Sequence, residues 1–205
     1  MKYRVATIGR EYGSGGGAVA QSLAAKLGWK LLDNALVLKI AEVARIEPQL
    51  VRQLEERTDS WVHRVAKSAL WRGAFEGVAS VSRGDVADAD TLAALAKSLI
   101  LEAYDQGNCV VVGRGAQCAL QDKPDVFHTF VYAPRDQKVA RLRDRLPQEK
   151  NLDAAMEEMD RRRAEYVRRH FDCHWANPHL YHLMVSSAVG VDAAADIIQR
   201  AMEVS

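Results

Sequence analysis

The stretch YRVATIGREYGSGGGAVAQSLAAKL, residues 3 to 27, constrains the fold more than any other part of the chain. Its first half is an apolar run rich in β-branched residues, the composition of a buried strand. The run passes into a glycine cluster and then into an apolar-periodic segment that reads as a helix beginning near Gly17. A strand, a glycine turn and a helix in that order make an anion site, because backbone N–H groups converge at the helix N-terminus and the helix dipole adds partial positive charge there. Five glycines between Gly9 and Gly17 are more than a plain turn needs, so the backbone of Gly13, Ser14, Gly15, Gly16 and Gly17 is the candidate phosphate cradle. The full P-loop pattern, G-x-x-x-x-G-K-[ST], also needs a lysine and a hydroxyl. Gly15 matches its second glycine, but Gly16 stands in the lysine's place, and Gly17 and Ala18 bring no hydroxyl.

The rest of the chain fixes the architecture around this unit. NCVVVGRG, VFHTFVYA and HLMVSS are short apolar runs of the kind that strands covered on both faces require, and GWKLLD supplies a fifth. Helical segments separate them, which predicts an α/β fold with a five-stranded parallel sheet. Two charged, helical stretches interrupt the alternation: Glu47 to about Asp90, and Arg143 to about Phe171. In the second, Leu152, Met156, Met159 and Tyr166 recur at near-helical spacing, which predicts an amphipathic helix. SRGDVADAD, from Ser82, reads as a loop.

With 48% hydrophobic residues in 205, the chain can bury one domain-sized core. A net charge of +1 gives no global field for nucleic acid, and no apolar run of about 18 residues predicts a membrane span. Three cysteines and an N-terminus without a signal-type run of about 7 to 15 apolar residues place the expected compartment in the cytoplasm. The expected partner is therefore a small molecule.

Three segments together resemble the cytidylate kinase-like family of P-loop proteins: REYGSGG near the start, VVVGRGAQCAL in the middle, and FDCHWANPHLYHLMVSS toward the end. The resemblance spans nearly the whole chain. It implies a P-loop NTPase-like three-layer fold with a core of 1–46, 91–142 and 172–205, a helical acceptor-side insertion at 47–90, and a lid at 143–171. It also implies transfer of the γ-phosphoryl of ATP, with Mg2+, to a nucleoside monophosphate, CMP or dCMP first. The alternative is a non-catalytic nucleotide- or phosphate-binding regulator that kept the fold. For the acceptor, the resemblance points to Asn34 and Lys39 after the second strand, to Arg114 in the glycine–arginine turn, and to Asp160 and Arg163 as readers of the base. Gly115 replaces an acidic residue of cytidylate kinases. Mg2+ would then be held mainly by phosphates and water.

Some cation must replace the missing lysine if phosphoryl transfer is to occur. Arg10, in the place of a P-loop glycine, is the first candidate, and Arg141 and Arg143 from the lid side are the others. An ion pair between Arg10 and Glu11 is the structural alternative. Gly16→Lys is expected to restore function lost on removing Arg10, if the loop has room. His170, Cys173, His174, His179 and His182 bring zinc-type side chains together in sequence, but their spacing fits no zinc pattern. Trp175 and Tyr181 read as packing residues.

Overall fold

The computed structural model describes residues 2–33 and 89–204. Asn34, Lys39 and the insertion expected at 47–90 lie outside the described residues, apart from Ala89 and Asp90. The chain forms two compact units, Met1–Leu31 with Asn108–Ser205, and Leu32–Gly107. Five strands form one sheet: β1 (Val5–Arg10), β2 (Lys30–Leu32), β3 (Cys109–Val112), β4 (Val126–Tyr132) and β5 (Leu183–Ser186). Their order is β2-β3-β1-β4-β5, and β1 runs parallel to both β3 and β4, as β4 does to β5.

The helices are α1 (Gly16–Leu27), α2 (Ala89–Gln106), α3 (Ala116–Ala119), α4 (Arg135–Arg145), α5 (Leu152–Phe171) and α6 (Val191–Val204). All five expected strands are present, and α1 starts within a residue of the expected position. The loop expected from Ser82 lies outside the described residues up to Ala89 and Asp90, which open α2.

β1 is central and buried on both faces, so Val5, Ala6 and Ile8 are closed to solvent, and Ile8 packs in a core with Leu23 of α1, Phe127 of β4, and Ile198 and Met202 of α6. Two polar links tie α1 to α6, Lys26 to Asp196 at 2.7 Å and Ser22 to Asp192 at 2.6 Å. Within the sheet, Thr7 Oγ1 meets His128 Nδ1 at 2.7 Å. Burial, with His182 adding to it, lowers the His128 pKa to about 4, so this ring is a neutral part of the core at pH 7.

In the other unit, α2 buries Ala93, Ala96, Leu99, Ile100 and Ala103, the three-to-four spacing of a helix with one apolar stripe. It stops at Gly107, which takes a positive φ of 68° and donates its N–H to Ala103 and Tyr104 at 3.0 Å.

Candidate functional site

The sheet places two glycine turns side by side at its C-terminal edge. The first follows β1, where the backbone reverses through Gly13 and Gly15 with φ of 78° and 76°, values that strongly favour glycine. Gly15 is the N-cap of α1, with no side chain capping the helix, and the first ladder bond runs from Val19 N–H to the Gly15 carbonyl. Of the amides before Val19, that of Gly16 donates to Ser14 Oγ at 3.4 Å, while Gly17 and Ala18 are exposed and have no partner within the helix.

The loop is held from its carbonyl side. Arg141, on α4, donates to the carbonyls of Ser14 at 3.2 Å and Ser187 at 3.4 Å, with a longer approach to that of Gly13 at 3.5 Å. Ser187 Oγ donates to the Ser14 carbonyl at 2.5 Å. A trans peptide points its N–H opposite to its C=O, so fixing the Ser14 carbonyl turns the Gly15 amide away from Arg141. Arg143 sits exposed in the last turn of α4. Glu11 pairs with Lys138 at 3.0 Å and accepts the Ala133 N–H at 3.3 Å.

Arg10 leaves β1 and lies along Gly16. A Cβ on Gly16 would come within 2.7 Å of Arg10 Cβ and 3.2 Å of its Cγ, so the arginine stem fills the space that a side chain at position 16 would use. The loop therefore has no room for a lysine at position 16 while residue 10 carries a Cβ. The guanidinium ends at the second turn, with Cζ 3.1 Å from where a Cβ on Gly113 would stand.

That second turn, Gly113-Arg114-Gly115, follows β3, and all three residues have positive φ, of 72°, 54° and 72°. Arg114 is partly buried, with its guanidinium over the Tyr166 ring at 5.7 Å. Gly115 caps α3 and lies under Phe171, so a Cβ there would fall within 2.9 Å of three ring carbons. The aromatic ring occupies the space that a side chain at position 115 would need.

Asp160 and Arg163 meet on one face of α5 at 3.0 Å and dock on the first loop. Asp160 Oδ1 accepts the Tyr12 N–H at 2.7 Å, and Arg163 donates to the Arg10 carbonyl at 3.0 Å while its guanidinium lies over the Tyr12 ring. Burial raises the Asp160 pKa, against the Tyr12 N–H and Arg163, which lower it. Burial also lowers the Arg163 pKa, against Asp160. Tyr12 packs with Leu142, Leu152 and Met156, joining the loop to α4 and α5.

The structure thus gathers Arg10, Gly13 to Gly17, Arg114, Arg141, Asp160 and Arg163 around adjoining turns. Glu11, Lys138, Phe171 and Ser187 belong to the same region but carry no sequence signal, because their partners are remote along the chain. Among the described residues no three His, Cys, Asp or Glu side chains are placed to hold a metal. His182 instead accepts the His128 N–H at 2.9 Å and stacks on Phe127. Trp175 and Tyr181 both pack on Phe130 of β4, as packing residues should. None of the helices among the described residues is long and apolar enough to cross a membrane.

The sequence pattern of the cytidylate kinase-like family matches residues 5–189. The fold is similar to that of an uncharacterized protein from Eubacterium ventriosum, with a TM-score of 0.68 at 21% identity over 98% of this chain and 99% of that one. A shikimate kinase from Bacteroides thetaiotaomicron is also similar, with a TM-score of 0.52 at 16% identity over 98% of each chain. At these identities the likeness concerns the fold alone. No curated protein matches.

Proposed function

Since the chain belongs to the cytidylate kinase-like family, we propose that it transfers the γ-phosphoryl of ATP to a nucleoside monophosphate, with CMP and dCMP the first acceptors to test. The observation that carries this reading is the exchange of side chains between positions 10 and 16: the lysine is absent from the loop, but the stem of Arg10 runs through the space beside Gly16. The stem passes the N-terminus of α1 and carries the guanidinium to Gly113, so a permanent, multidentate cation for phosphate oxygens stands between the two turns. The backbone of Gly13 to Gly17 holds the donor phosphates. Arg114 faces the acceptor phosphate, and Asn34 and Lys39 remain the sequence-based acceptor candidates. Arg141 acts by holding the loop's carbonyls, which keeps the amides open to the anion. Little covalent chemistry is asked of the protein in phosphoryl transfer, so positioning and charge supply most of the catalysis.

The described side chains do not fit a protein-built magnesium cage: positions 17 and 18 lack a hydroxyl, and Gly115 lacks a carboxylate. Mg2+ is accordingly assigned to the phosphates of ATP and to water. The same absences favour the second reading, a nucleotide- or phosphate-binding regulator without turnover.

ATP and Mg2+ incubated with a panel of nucleoside monophosphates separate the two. ADP release dependent on one acceptor is the expected result. Binding of ATP or inorganic phosphate by calorimetry with no turnover on any acceptor supports the regulator, and binding of neither removes both readings.

A further inference from the structure

The register of the sheet explains what Asp160 and Arg163 do. β1 and β3 pair in parallel from Val5 with Cys109 to Ile8 with Val112, and the ladder continues one step as Gly113 donates its N–H to the Ile8 carbonyl at 3.1 Å. In a parallel ladder one residue donates to a carbonyl and accepts from the N–H two residues further along its neighbour. The next rung of this ladder would come from residue 115, which would donate to the Arg10 carbonyl and accept the Tyr12 N–H. Gly115 instead turns away to cap α3. Both backbone groups, one at the end of β1 and one just past it, lie in a part-buried region, where unpaired polar groups are costly. Asp160 supplies the missing acceptor and Arg163 the missing donor, at 2.7 and 3.0 Å.

We propose that Asp160 and Arg163 are positioning residues for the anion loop: a side-chain pair on α5 that replaces the absent rung of β3 and fixes the backbone from Arg10 to Tyr12. The proposal rests on the phosphotransferase reading for its consequence, since fixing Arg10's backbone fixes where its guanidinium stands. It differs from that reading in assigning the pair to the donor loop and not to the acceptor base.

The surroundings agree. α5 is anchored along its length, by Arg135 to Asp153 near its start, by Leu152 and Met156 against Tyr12 and Leu142, and by Phe171 on Gly115 at its end. A helix held at all of these points serves as a support for the two turns. If the pair swung out to follow a substrate, the Arg10 carbonyl and the Tyr12 N–H would lose the hydrogen bonds that α5 supplies.

The test uses the full chain and three variants, Asp160→Ala, Asp160→Asn and Arg163→Leu. Amide hydrogen exchange across residues 10–17 needs no ligand. Asp160→Ala should speed exchange at Tyr12 by at least ~10-fold, the scale of one hydrogen bond lost in a part-buried place. Asp160→Asn keeps an oxygen acceptor and should stay within about threefold of the parent, whereas a charge-dependent role would not be rescued.

ATP affinity by calorimetry should fall about 10-fold in Asp160→Ala and in Arg163→Leu, with the preference among acceptor bases unchanged in every variant. Arg163→Leu carries the test if Asp160→Ala does not fold. Unchanged exchange at Tyr12 in Asp160→Ala overturns the proposal. So does an Asp160→Asn protein as impaired as Asp160→Ala with an altered base preference, which would return the pair to the acceptor. If the parent protein binds no ATP, the phosphotransferase reading fails, and the exchange measurement alone still decides the role of the pair.

Discussion

The two glycine turns are built alike and finished differently. Each follows a buried parallel strand, and each ends in a glycine N-cap with left-handed φ, 76° at Gly15 and 72° at Gly115, and no capping side chain. The first opens a twelve-residue helix whose leading residues Gly17 and Ala18 are exposed. The second opens a four-residue helix and is covered by Phe171. A glycine in a strand-to-helix turn therefore has two distinct uses. One leaves backbone amides accessible to an anion, and the other admits a neighbouring ring that a Cβ would exclude. Local sequence makes the turn, and the element arriving from elsewhere decides whether it is a site or a joint.

Substitution at the covered turn should have the largest effect. Gly115→Asp drives a side chain into the Phe171 ring at a positive φ and should cost about 4 kcal/mol in chemical denaturation. Adding Phe171→Ala should recover part of this relative to Gly115→Asp alone, because the clash goes but the backbone strain stays. A Gly115→Asp protein as stable as the parent would mean that the turn is not closed by the ring.

Next comes Arg10, the side chain that reaches from the open turn to Gly113. Arg10→Ala should lower turnover by at least ~100-fold, the scale of one transition-state charge contact, with little loss of stability. Gly16→Lys cannot repair this variant, because an alanine at position 10 keeps the Cβ that would lie 2.7 Å from a Cβ at 16. Arg10→Gly with Gly16→Lys removes the conflict and should regain activity relative to Arg10→Gly alone. Turnover of the four proteins on one acceptor decides whether the cation passes between the two positions as the packing requires.

The smallest effects compare glycines within the open turn. Gly15→Ala meets no atom closer than 3.6 Å and should lose only the left-handed backbone penalty, about 1 kcal/mol. Gly17→Ala has open space around it and should stabilise the protein by roughly 0.5 kcal/mol through helix propensity. Thermal melts of both should differ in sign, and a Gly17→Ala protein less stable than the parent would show that the open turn is covered after all.

Much of the fold was legible in the sequence, for a local reason. Short apolar runs report strands because burial on both faces demands continuous hydrophobicity, and β1, β3 and β4 have that pattern, whereas β5 at the sheet edge leaves Met184 exposed. The phosphate loop was legible too, since positive φ at Gly13 and Gly15 is a property of the residues themselves. The spacing of Asp160 and Arg163 placed them on one helix face. What that face touches was not in the spacing, and neither was the pairing of Glu11 with Lys138, which sits 127 positions away.

The sequence by itself determined the order of strands and helices, the anion-binding turn and the absence of its lysine, because each follows from residues within a few positions of one another. Only the tertiary structure decided that Arg10 takes the space beside Gly16, that Phe171 closes the turn at Gly115, and that Asp160 and Arg163 complete the ladder on β1. The last two outcomes depend on β3 ending at Val112 and on α5 crossing just beyond it. A strand that stops one rung early leaves polar groups that only a distant part of the chain can satisfy, and no local pattern records which part that will be.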